Sequence, residues 1–530
     1  MLRGLSRVSL RKTTAGYHRS HLARFSSNQI DFNDAAASFR SKSLLELVRG
    51  YCVFQTCRIR LLVDYSEVLI RQSYLLLGDK ITDKVLKKTF FGHFCAGENT
   101  EDMQPTIRRL EGAGIGSILD YAAEADIVED EIRPLDVHET LIKSRVYDYR
   151  DEALCDERTK VFESCIRSAH ALQNDPATEG FAAIKCTALG NPHFLERMST
   201  AIVEIRNLFM KFDVDKSGVV SREEFKLQYE KYFSGGMDVE DVFKMMDVDA
   251  DDDIDYMEWS RYVTIEELHK ITASCRESGP LSKATLTEEE RHLLLLMRNR
   301  INKLADLADQ LNVKLMIDAE HTYFQPAIDN IALHLMMQYN NRRALIFQTY
   351  QLYLTDAPRR LADDISRAKA GDYHFAAKLV RGAYMELERN RATELGVPSP
   401  ILDTKEHTHM QYNAAVASMI DAIGSGEKVE VMIASHNQQS IELALERATS
   451  VGVGPAGNMY FGQLLGMADH LTYSLGNAKY RAYKYVPYGK VKEVMPYLIR
   501  RAQENSDMLG GVTTELTMLR QEIKRRLTFA

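Results

Sequence analysis

Hydrophobic and polar residues alternate along this chain with two different periods. In residues 41–94 apolar residues recur three and four positions apart, which predicts amphipathic helices that act as packing elements without chemistry of their own. Beyond them, short apolar runs typical of strands alternate with helical segments, and eight such runs are present: 117–121, 182–189, 313–319, 344–350, 376–380, 430–434, 458–464 and 482–486. This alternation predicts an α/β fold, a (β/α)8 barrel with its functional residues at the carboxyl ends of the strands.

Polar residues stand at the ends of several predicted strands. They are Lys185 in the second strand, Asp318 and Glu320 at the end of the third, Gln348 at the end of the fourth, Lys378 and Arg381 at the end of the fifth, and His436 with Asn437 after the sixth. Any one of them alone is more often a hydrogen-bonded structural residue than a catalyst. Because a barrel brings successive strand ends to one edge, we expect these residues to form a polar ring around a ligand pocket.

Residues 485–505 combine a strand-like aromatic run, a turn and a helix. Four residues of this helix are spaced three or four apart and therefore share one face: Tyr497, Arg500, Arg501 and Glu504. Two adjacent guanidinium groups beside one carboxylate indicate a site for an anionic ligand such as a small carboxylate. From these residues alone, the alternative is a solvated helix face with ordinary ion pairs.

A long acidic segment separates the second and third predicted strands and contains two loops of the calcium-binding type. Positions 1, 3, 5, 7, 9 and 12 of the first loop are Asp213, Asp215, Ser217, Val219, Ser221 and Glu224, with Gly218 at the turn position. The same positions of the second loop are Asp247, Asp249, Asp251, Asp253, Asp255 and Glu258, but Asp252 replaces the turn glycine and would strain the loop. The spacing predicts an inserted α-helical EF-hand pair that binds Ca²⁺, and a solvated acidic insertion is the alternative.

Composition narrows the classes of function. The first thirty residues contain six Arg or Lys and no acid, which is typical of a mitochondrial transit peptide, with a disordered basic arm as the alternative. Removing those six charges takes the formal net charge from −8 to −14, which argues against a nucleic-acid partner. The seven cysteines form no regular framework, so we expect them to be reduced and buried. No apolar run approaches the roughly 20 residues of a membrane-spanning helix.

Seven segments resemble eukaryotic mitochondrial proline dehydrogenases, in order and across most of residues 85–510: FAAIKCTALGNP, KLMIDAEHTYFQPA, LIFQTYQLYL, AKLVRGAYMELER, IASHNQ, YFGQLLGM and YKYVPYGKVKEVMPYLIRRAQEN. The resemblance implies a distorted (β/α)8 barrel that binds FAD and oxidises L-proline to 1-pyrroline-5-carboxylate in proline catabolism. It also implies that electrons pass to ubiquinone, and that the protein makes peripheral contact with the matrix side of the inner mitochondrial membrane. The calcium loops are not a feature of the common core of this family.

The resemblance also assigns residues. Arg500 and Arg501, assisted by Lys185, would bind the proline carboxylate, and Asp318 would support them. The walls around the proline ring would be Tyr384, Leu464, Tyr485 and Tyr497. The cofactor would be surrounded by Gln348, Lys378, Gly382, His436, Asn437 and Glu504.

Two other functions stay open. A hydroxyproline dehydrogenase would share nearly all these motifs, although the bulky ring of Tyr485 disfavours a substrate with an added hydroxyl group. A calcium-binding scaffold built on an inactive barrel is the non-enzymatic alternative. The expected organisation is 1–27 transit peptide, 28–112 helical region, 113–194 first part of the barrel, 195–275 EF-hand pair, 276–312 linker and helix, 313–512 remainder of the barrel, and 513–530 carboxyl-terminal helix.

Overall fold

Eight parallel strands close into a barrel in the computed structural model, which describes residues 30–122, 125–127, 144–147, 149–171, 179–234, 238–507 and 509–528. In chain order the strands are β1 (Ile115–Tyr121), β2 (Ala125–Ile127), β3 (Ser144–Val146), β4 (Gly180–Ile184), β5 (Val219–Ser221), β6 (Asp253–Asp255), β7 (Val313–Ile317), β8 (Ile346–Gln351), β9 (Phe375–Val380), β10 (Val429–Ala434), β11 (Met459–Leu464) and β12 (Arg481–Tyr488). The barrel contains β1, β4 and β7–β12 in chain order, and β1 closes it by pairing with both β4 and β12.

The predicted barrel is confirmed, and each of the eight predicted runs overlaps one barrel strand. The second barrel strand ends earlier than the predicted run 182–189, because β4 ends at Ile184 and a single 3₁₀ turn follows at Cys186–Ala188. There the Thr187 N–H donates to the Glu320 carboxylate at 3.1 Å instead of continuing the strand ladder. Lys185 therefore follows its strand rather than lying within it. The predicted transit peptide, residues 1–27, lies outside the described residues.

Helices precede the barrel and cover its outside. The described residues form α1 (Ala35–Ser38), α2 (Leu44–Cys57), α3 (Arg60–Asp64), α4 (Ser66–Lys88), α5 (Phe90–Phe94), α6 (Thr100–Gly112), α7 (Glu152–Ala171), α8 (Pro192–Phe212), α9 (Arg222–Tyr232), α10 (Val239–Met246), α11 (Tyr256–Tyr262), α12 (Leu268–Ala273), α13 (Pro280–Ala284), α14 (Glu288–Leu311), α15 (Gln325–Tyr339), α16 (Ala357–Ala370), α17 (Met385–Leu395), α18 (Lys405–Gly424), α19 (Gln438–Ser450), α20 (Asp469–Asn477), α21 (Met495–Asp507) and α22 (Leu509–Thr528). None of the described helices is long and apolar enough to cross a membrane.

Aromatic side chains fill the inside of the barrel. The ring of Phe181 makes edge contacts with Phe347, Tyr460 and Tyr483 at centroid distances of 5.0–5.5 Å. At the amino ends of the strands, Lys314 donates to the carboxylate of Glu430 and to the Tyr460 hydroxyl. This packing fills the amino-terminal part of the barrel interior, and barrels of this type bind their ligands at the carboxyl end.

The segment between β4 and β7 holds the two acidic loops. The first loop leads from α8 through β5 into α9, and the second leads from α10 through β6 into α11. β5 and β6 pair as an antiparallel ribbon, with Val220 opposite Ile254. Each loop thus lies between two helices, and the ribbon places the loops side by side.

All seven cysteines are free thiols. Five of them are buried, as expected. Cys275 is half-buried, and Cys52 is exposed, so the expectation of burial is wrong for Cys52.

Candidate active site

Asp318 follows β7 and is the centre of a buried polar cluster at the barrel mouth. Its carboxylate accepts hydrogen bonds from Lys378 Nζ of β9 and, at 2.6 Å, from the Tyr485 hydroxyl of β12. Lys185 Nζ lies 3.4 Å from the same carboxylate. Burial alone would raise the pKa of Asp318, but the charges of Lys378 and Lys185 outweigh it and lower the pKa below its ordinary value. Asp318 is therefore ionised at neutral pH and holds three side chains together.

Asp120 on β1 is a second carboxylate of this cluster, and the sequence analysis missed it. Its Oδ1 lies 3.1 Å from Lys185 Nζ. Burial and then Asp120 and Asp318 raise the pKa of Tyr485 well above its usual value, so the phenol stays protonated and can donate. Asp120 belongs to no motif. The available signal was its position near the end of the first predicted strand, where the other strands carry their polar residues.

Helix α21 presents the predicted pair of arginines. Arg500 and Arg501 are 8% and 5% exposed, which excludes the alternative of a solvated ion-pair face. Arg501 forms an ion pair with Glu504, and its Cζ lies 4.9 Å from the ring centroid of Tyr497. The Nε atom of Arg501 and the hydroxyl of Tyr497 have no hydrogen-bond partner among the described residues. The helix therefore offers buried polar groups to a ligand.

Contacts and electrostatic interactions connect α21 with the barrel mouth. Arg500 Cζ lies 6.0 Å from the ring centroid of Tyr384, and that ring lies 4.3 Å from the ring of His321, three residues after Asp318. Burial raises the pKa of Tyr497, so its phenol stays protonated. The arginines and the cluster thus lie on the same side of the barrel.

The position of Tyr384 depends on a connection that the sequence analysis did not identify. Glu388 of α17 accepts hydrogen bonds from the Thr322 N–H at 2.7 Å and the Thr322 hydroxyl at 2.6 Å. The His321 Nδ1 lies 3.3 Å from the same carboxylate. These contacts join the loop after β7 to the helix that begins just after Tyr384. Residues so distant along the chain give no signal of their contact in one sequence.

The loop after β10 carries His436 and Asn437. The backbone N–H of Leu464 donates to His436 Nε2 at 3.0 Å. Burial, followed by the charges of Lys484 and Arg501, lowers the pKa of His436 to about 3, so the imidazole is neutral. The Asn437 side chain accepts from the Ser440 N–H and caps α19. Its side-chain oxygen is therefore already used within the fold.

The turn after β9 requires glycine at position 382. Gly382 has φ +144°, and a Cβ atom there would lie 1.9 Å from the ring of Tyr353. The adjacent Arg381 donates to Ser435 and Ser440, each at 2.8 Å. This turn therefore keeps backbone close to the mouth and adds a guanidinium group beside it.

Gln348 does not join the ring. Its Nε2 donates to Asp329 of α15 at 2.7 Å, on the outside of the barrel. The next residue, Thr349, aligns with Lys378 on the inner face and is 3% exposed, and its hydroxyl has no hydrogen-bond partner among the described residues. Because successive strand residues point to opposite faces, the structure favours Thr349 over Gln348 as the inward residue.

The two acidic loops each bring three carboxylates together. Oxygen atoms of Asp213, Asp215 and Glu224 lie within 4.8 Å of one another, and so do those of Asp247, Asp249 and Glu258. Gly218 and Asp252 occupy the same loop position with φ of +94° and +70°. A left-handed conformation at a non-glycine residue fits the predicted strain at Asp252.

Known proteins resemble this chain over most of its length. The proline dehydrogenase family matches residues 103–514. "Proline dehydrogenase 1, mitochondrial" of Homo sapiens is 35% identical over 543 residues, covering 94% of this chain and 90% of the relative. "Hydroxyproline dehydrogenase" of Xenopus laevis is 29% identical over 512 residues, covering 96% of this chain and 93% of the relative.

A solved structure gives the same fold. Proline utilization A (PutA) from Bdellovibrio bacteriovorus, inactivated by N-propargylglycine, aligns with a TM-score of 0.54 at 15% identity. The alignment covers 89% of this chain, which spans only 38% of the bacterial chain. At this identity the likeness concerns the fold alone. The family match and the extent of the similarity to the human relative show that this chain belongs to the proline dehydrogenase family.

Proposed function

We propose that this chain is an FAD-dependent dehydrogenase that oxidises L-proline to 1-pyrroline-5-carboxylate in proline catabolism. We place it in the mitochondrion, on the matrix side of the inner membrane, with ubiquinone as the electron acceptor. The observation that carries the proposal is the buried arginine pair of α21, which is connected through Tyr384 and His321 to the loop that carries the ionised Asp318. Proline is a small zwitterion, so its binding site needs positively and negatively charged side chains close together.

Arg500 and Arg501 bind the proline carboxylate in this proposal. A guanidinium group can hold a carboxylate through two parallel hydrogen bonds, and burial strengthens each of them. Arg501 is ion-paired with Glu504, and its Nε atom, which has no hydrogen-bond partner among the described residues, is available to donate to the ligand. Lys185 stays fixed between Asp120 and Asp318 and adds a further positive charge at the mouth.

The proline ring is enclosed by Tyr384, Leu464, Tyr485 and Tyr497. The hydrogen bond from Tyr485 to Asp318 fixes one wall, and the contact between Arg501 and Tyr497 fixes another. Fixed walls orient the substrate and exclude water, which is the main task of a protein whose cofactor supplies the electron sink. When bound, FAD supplies the acceptor for the two electrons removed from proline.

The residues at the mouth fit such a cofactor. FAD is polar, extended and anionic at its phosphates, and the buried Lys378, the half-buried Arg381 and the neutral, half-buried His436 carry N–H groups around the mouth. The inward hydroxyl of Thr349 has no hydrogen-bond partner in the described part of the chain, and Gly382 keeps backbone close to the opening. We therefore assign Lys378, Gly382, His436, Asn437 and Glu504 to the cofactor, with Thr349 in the place predicted for Gln348.

The visible spectrum of the purified protein tests this assignment. We expect a yellow protein whose flavin absorbance is bleached by L-proline under anaerobic conditions. A colourless preparation that stays inactive after FAD is added would refute it.

Hydroxyproline is the second candidate substrate. The hydroxyl of Tyr485 donates its one proton to Asp318, so it can accept from a substrate hydroxyl but cannot donate to it without giving up that bond. In this proposal the bulky ring of Tyr485 also forms a wall of the pocket and leaves less room for an added hydroxyl. Both features support proline as the preferred substrate.

We also propose that residues 195–275 form a calcium-binding EF-hand pair. The support is the clustering of three carboxylates in each loop and the antiparallel ribbon that pairs the loops. Glu224 and Glu258 occupy the final position of their loops, where a carboxylate can bind through both oxygens. Calorimetric titration with Ca²⁺ tests the proposal, and absence of heat in the full-length protein would refute it.

A further inference from the structure

Residues 59–88 form a helical hairpin, here called the leucine hairpin. Helix α4 breaks at Gly78, which has φ 76° and ψ 168°. The two arms of the helix fold back on each other, since the Thr82 hydroxyl donates to the Ser73 carbonyl at 3.1 Å. The apex carries three consecutive leucines, Leu75, Leu76 and Leu77, which are 77%, 83% and 52% exposed.

Exposed apolar side chains are concentrated on and beside this hairpin. Of the 28 large hydrophobic side chains that are exposed in the described part of the chain, 14 lie in residues 44–85. Along α3 and the first arm of α4, Leu62, Tyr65 and Leu69 are exposed at helical spacing and form a stripe that leads toward the apex. An apolar surface of this extent marks an interaction site.

The leucine hairpin is basic in an acidic protein. Residues 59–88 contain six Arg or Lys and four Asp or Glu, a net charge of +2, whereas the whole chain has −8. Five of the basic residues belong to α4: Arg71, Lys80, Lys84, Lys87 and Lys88. Basic side chains that flank an exposed apolar stripe are typical of helices that lie in the interface of anionic membranes.

We propose that the leucine hairpin docks on an anionic lipid bilayer. Consecutive helical residues point about 100° apart, so a rigid protein surface could cover only part of the apex, whereas fluid lipid can surround all three leucines. A second copy of the chain, paired by two-fold symmetry, would bring the basic arms against each other. Anionic headgroups would instead neutralise them.

The inner side of the hairpin packs on the helix that carries the arginines. Val63 belongs to a buried cluster with Tyr497 and Leu498 of α21, and Ile70 and Leu86 pack against that cluster. A docked hairpin would thus lie one helix away from the candidate active site. Resting on the proposed function, this arrangement gives a lipid-dissolved quinone a short path to the site.

Vesicle flotation of the full-length protein tests the proposal. The probes are vesicles of phosphatidylcholine alone and vesicles that also contain cardiolipin. The apex variant is Leu75→Ser/Leu76→Ser/Leu77→Ser, and the charge variant is Lys80→Glu/Lys84→Glu. The control replaces three exposed leucines elsewhere, Leu227→Ser/Leu395→Ser/Leu443→Ser, which are 64%, 47% and 42% exposed.

We expect the wild type and the control to float with cardiolipin vesicles, and the apex variant to lose at least about tenfold in partitioning. The charge variant should lose the dependence on cardiolipin. Equal partitioning of the apex variant and the control would overturn the proposal, and so would absence of vesicle binding by the wild type. It would also be overturned if the apex substitutions changed only the oligomeric state measured by light scattering. The rate of proline oxidation with a water-soluble electron acceptor should be the same in the apex variant and the wild type. An inactive wild type would contradict the proposed function, whereas an active wild type that does not bind vesicles would contradict only the docking proposal.

Discussion

Replacing Asp318 by Asn tests the centre of the site against a matched replacement at the other end of the same barrel. Asp318 holds Lys378, Lys185 and the Tyr485 hydroxyl at the carboxyl end. Glu430 holds Lys314 and the Tyr460 hydroxyl at the amino end, the latter at 2.8 Å. Both carboxylates are buried, and each pairs with a lysine that has a second acid beside it. This second acid is Asp120 for Lys185 and Glu179 for Lys314. The two replacements therefore remove similar interactions.

We expect both variants to lose stability by a similar amount. Breaking a buried ion pair costs about 3 to 5 kcal/mol, and Asp120 next to Lys185 and Glu179 next to Lys314 should reduce the loss at those two lysines. Denaturant unfolding at neutral pH measures this loss. Because the pKa of Asp318 is lowered in the fold, its contribution is fully present above the unfolded pKa of about 3.9 and is lost as the pH falls through the lower folded value.

Function should separate the two variants. Asp318→Asn releases Tyr485 and the two lysines beside the substrate, and one lost charge-assisted contact is worth about 1.5 to 3 kcal/mol, or roughly 10- to 150-fold in kcat/KM for proline. Glu430→Gln leaves the mouth intact and should retain near-normal kcat/KM in the folded fraction. Equal kcat/KM values for the two variants would refute the reasoning, because Asp318 would then be only a structural residue.

Three further predictions follow from the site and the loops. Arg500→Met or Arg501→Met should each reduce kcat/KM for proline by about 10- to 150-fold, since a buried charge-assisted contact to the carboxylate is lost, and near-normal kinetics would contradict this. Tyr485→Ser should raise the ratio of kcat/KM for hydroxyproline over proline by about 10-fold or more, and an unchanged ratio would remove Tyr485 from the pocket wall. Trp259 is 2% exposed and next to Glu258, so its fluorescence emission should change as Ca²⁺ is added between about 10⁻⁷ and 10⁻⁵ M. The emission of Glu258→Gln should not respond to Ca²⁺. Proline turnover measured in the same titrations of wild type and variant shows whether calcium also regulates activity.

The sequence by itself determined the barrel and most of its polar ring. The length and spacing of the apolar runs were sufficient because a parallel strand that is buried on both faces must consist almost entirely of apolar residues. Lys185, Asp318 and Lys378 could be selected because the carboxyl ends of all the strands meet at one edge, whatever the details of packing. The arginine pair of α21 followed from helical spacing, which fixes a shared face.

Only the tertiary structure decided which side of a strand or helix each residue uses. Gln348 and Thr349 are adjacent and both polar, and the register between strands, not their composition, turns Thr349 inward. Asp120 acquired its role by lying 3.1 Å from Lys185, a residue 65 positions away. The amino-terminal helices were predicted to be packing elements, but the leucine hairpin leaves much of its apolar surface exposed. Periodicity states which residues share a face, whereas the fold alone determines what, if anything, covers that face.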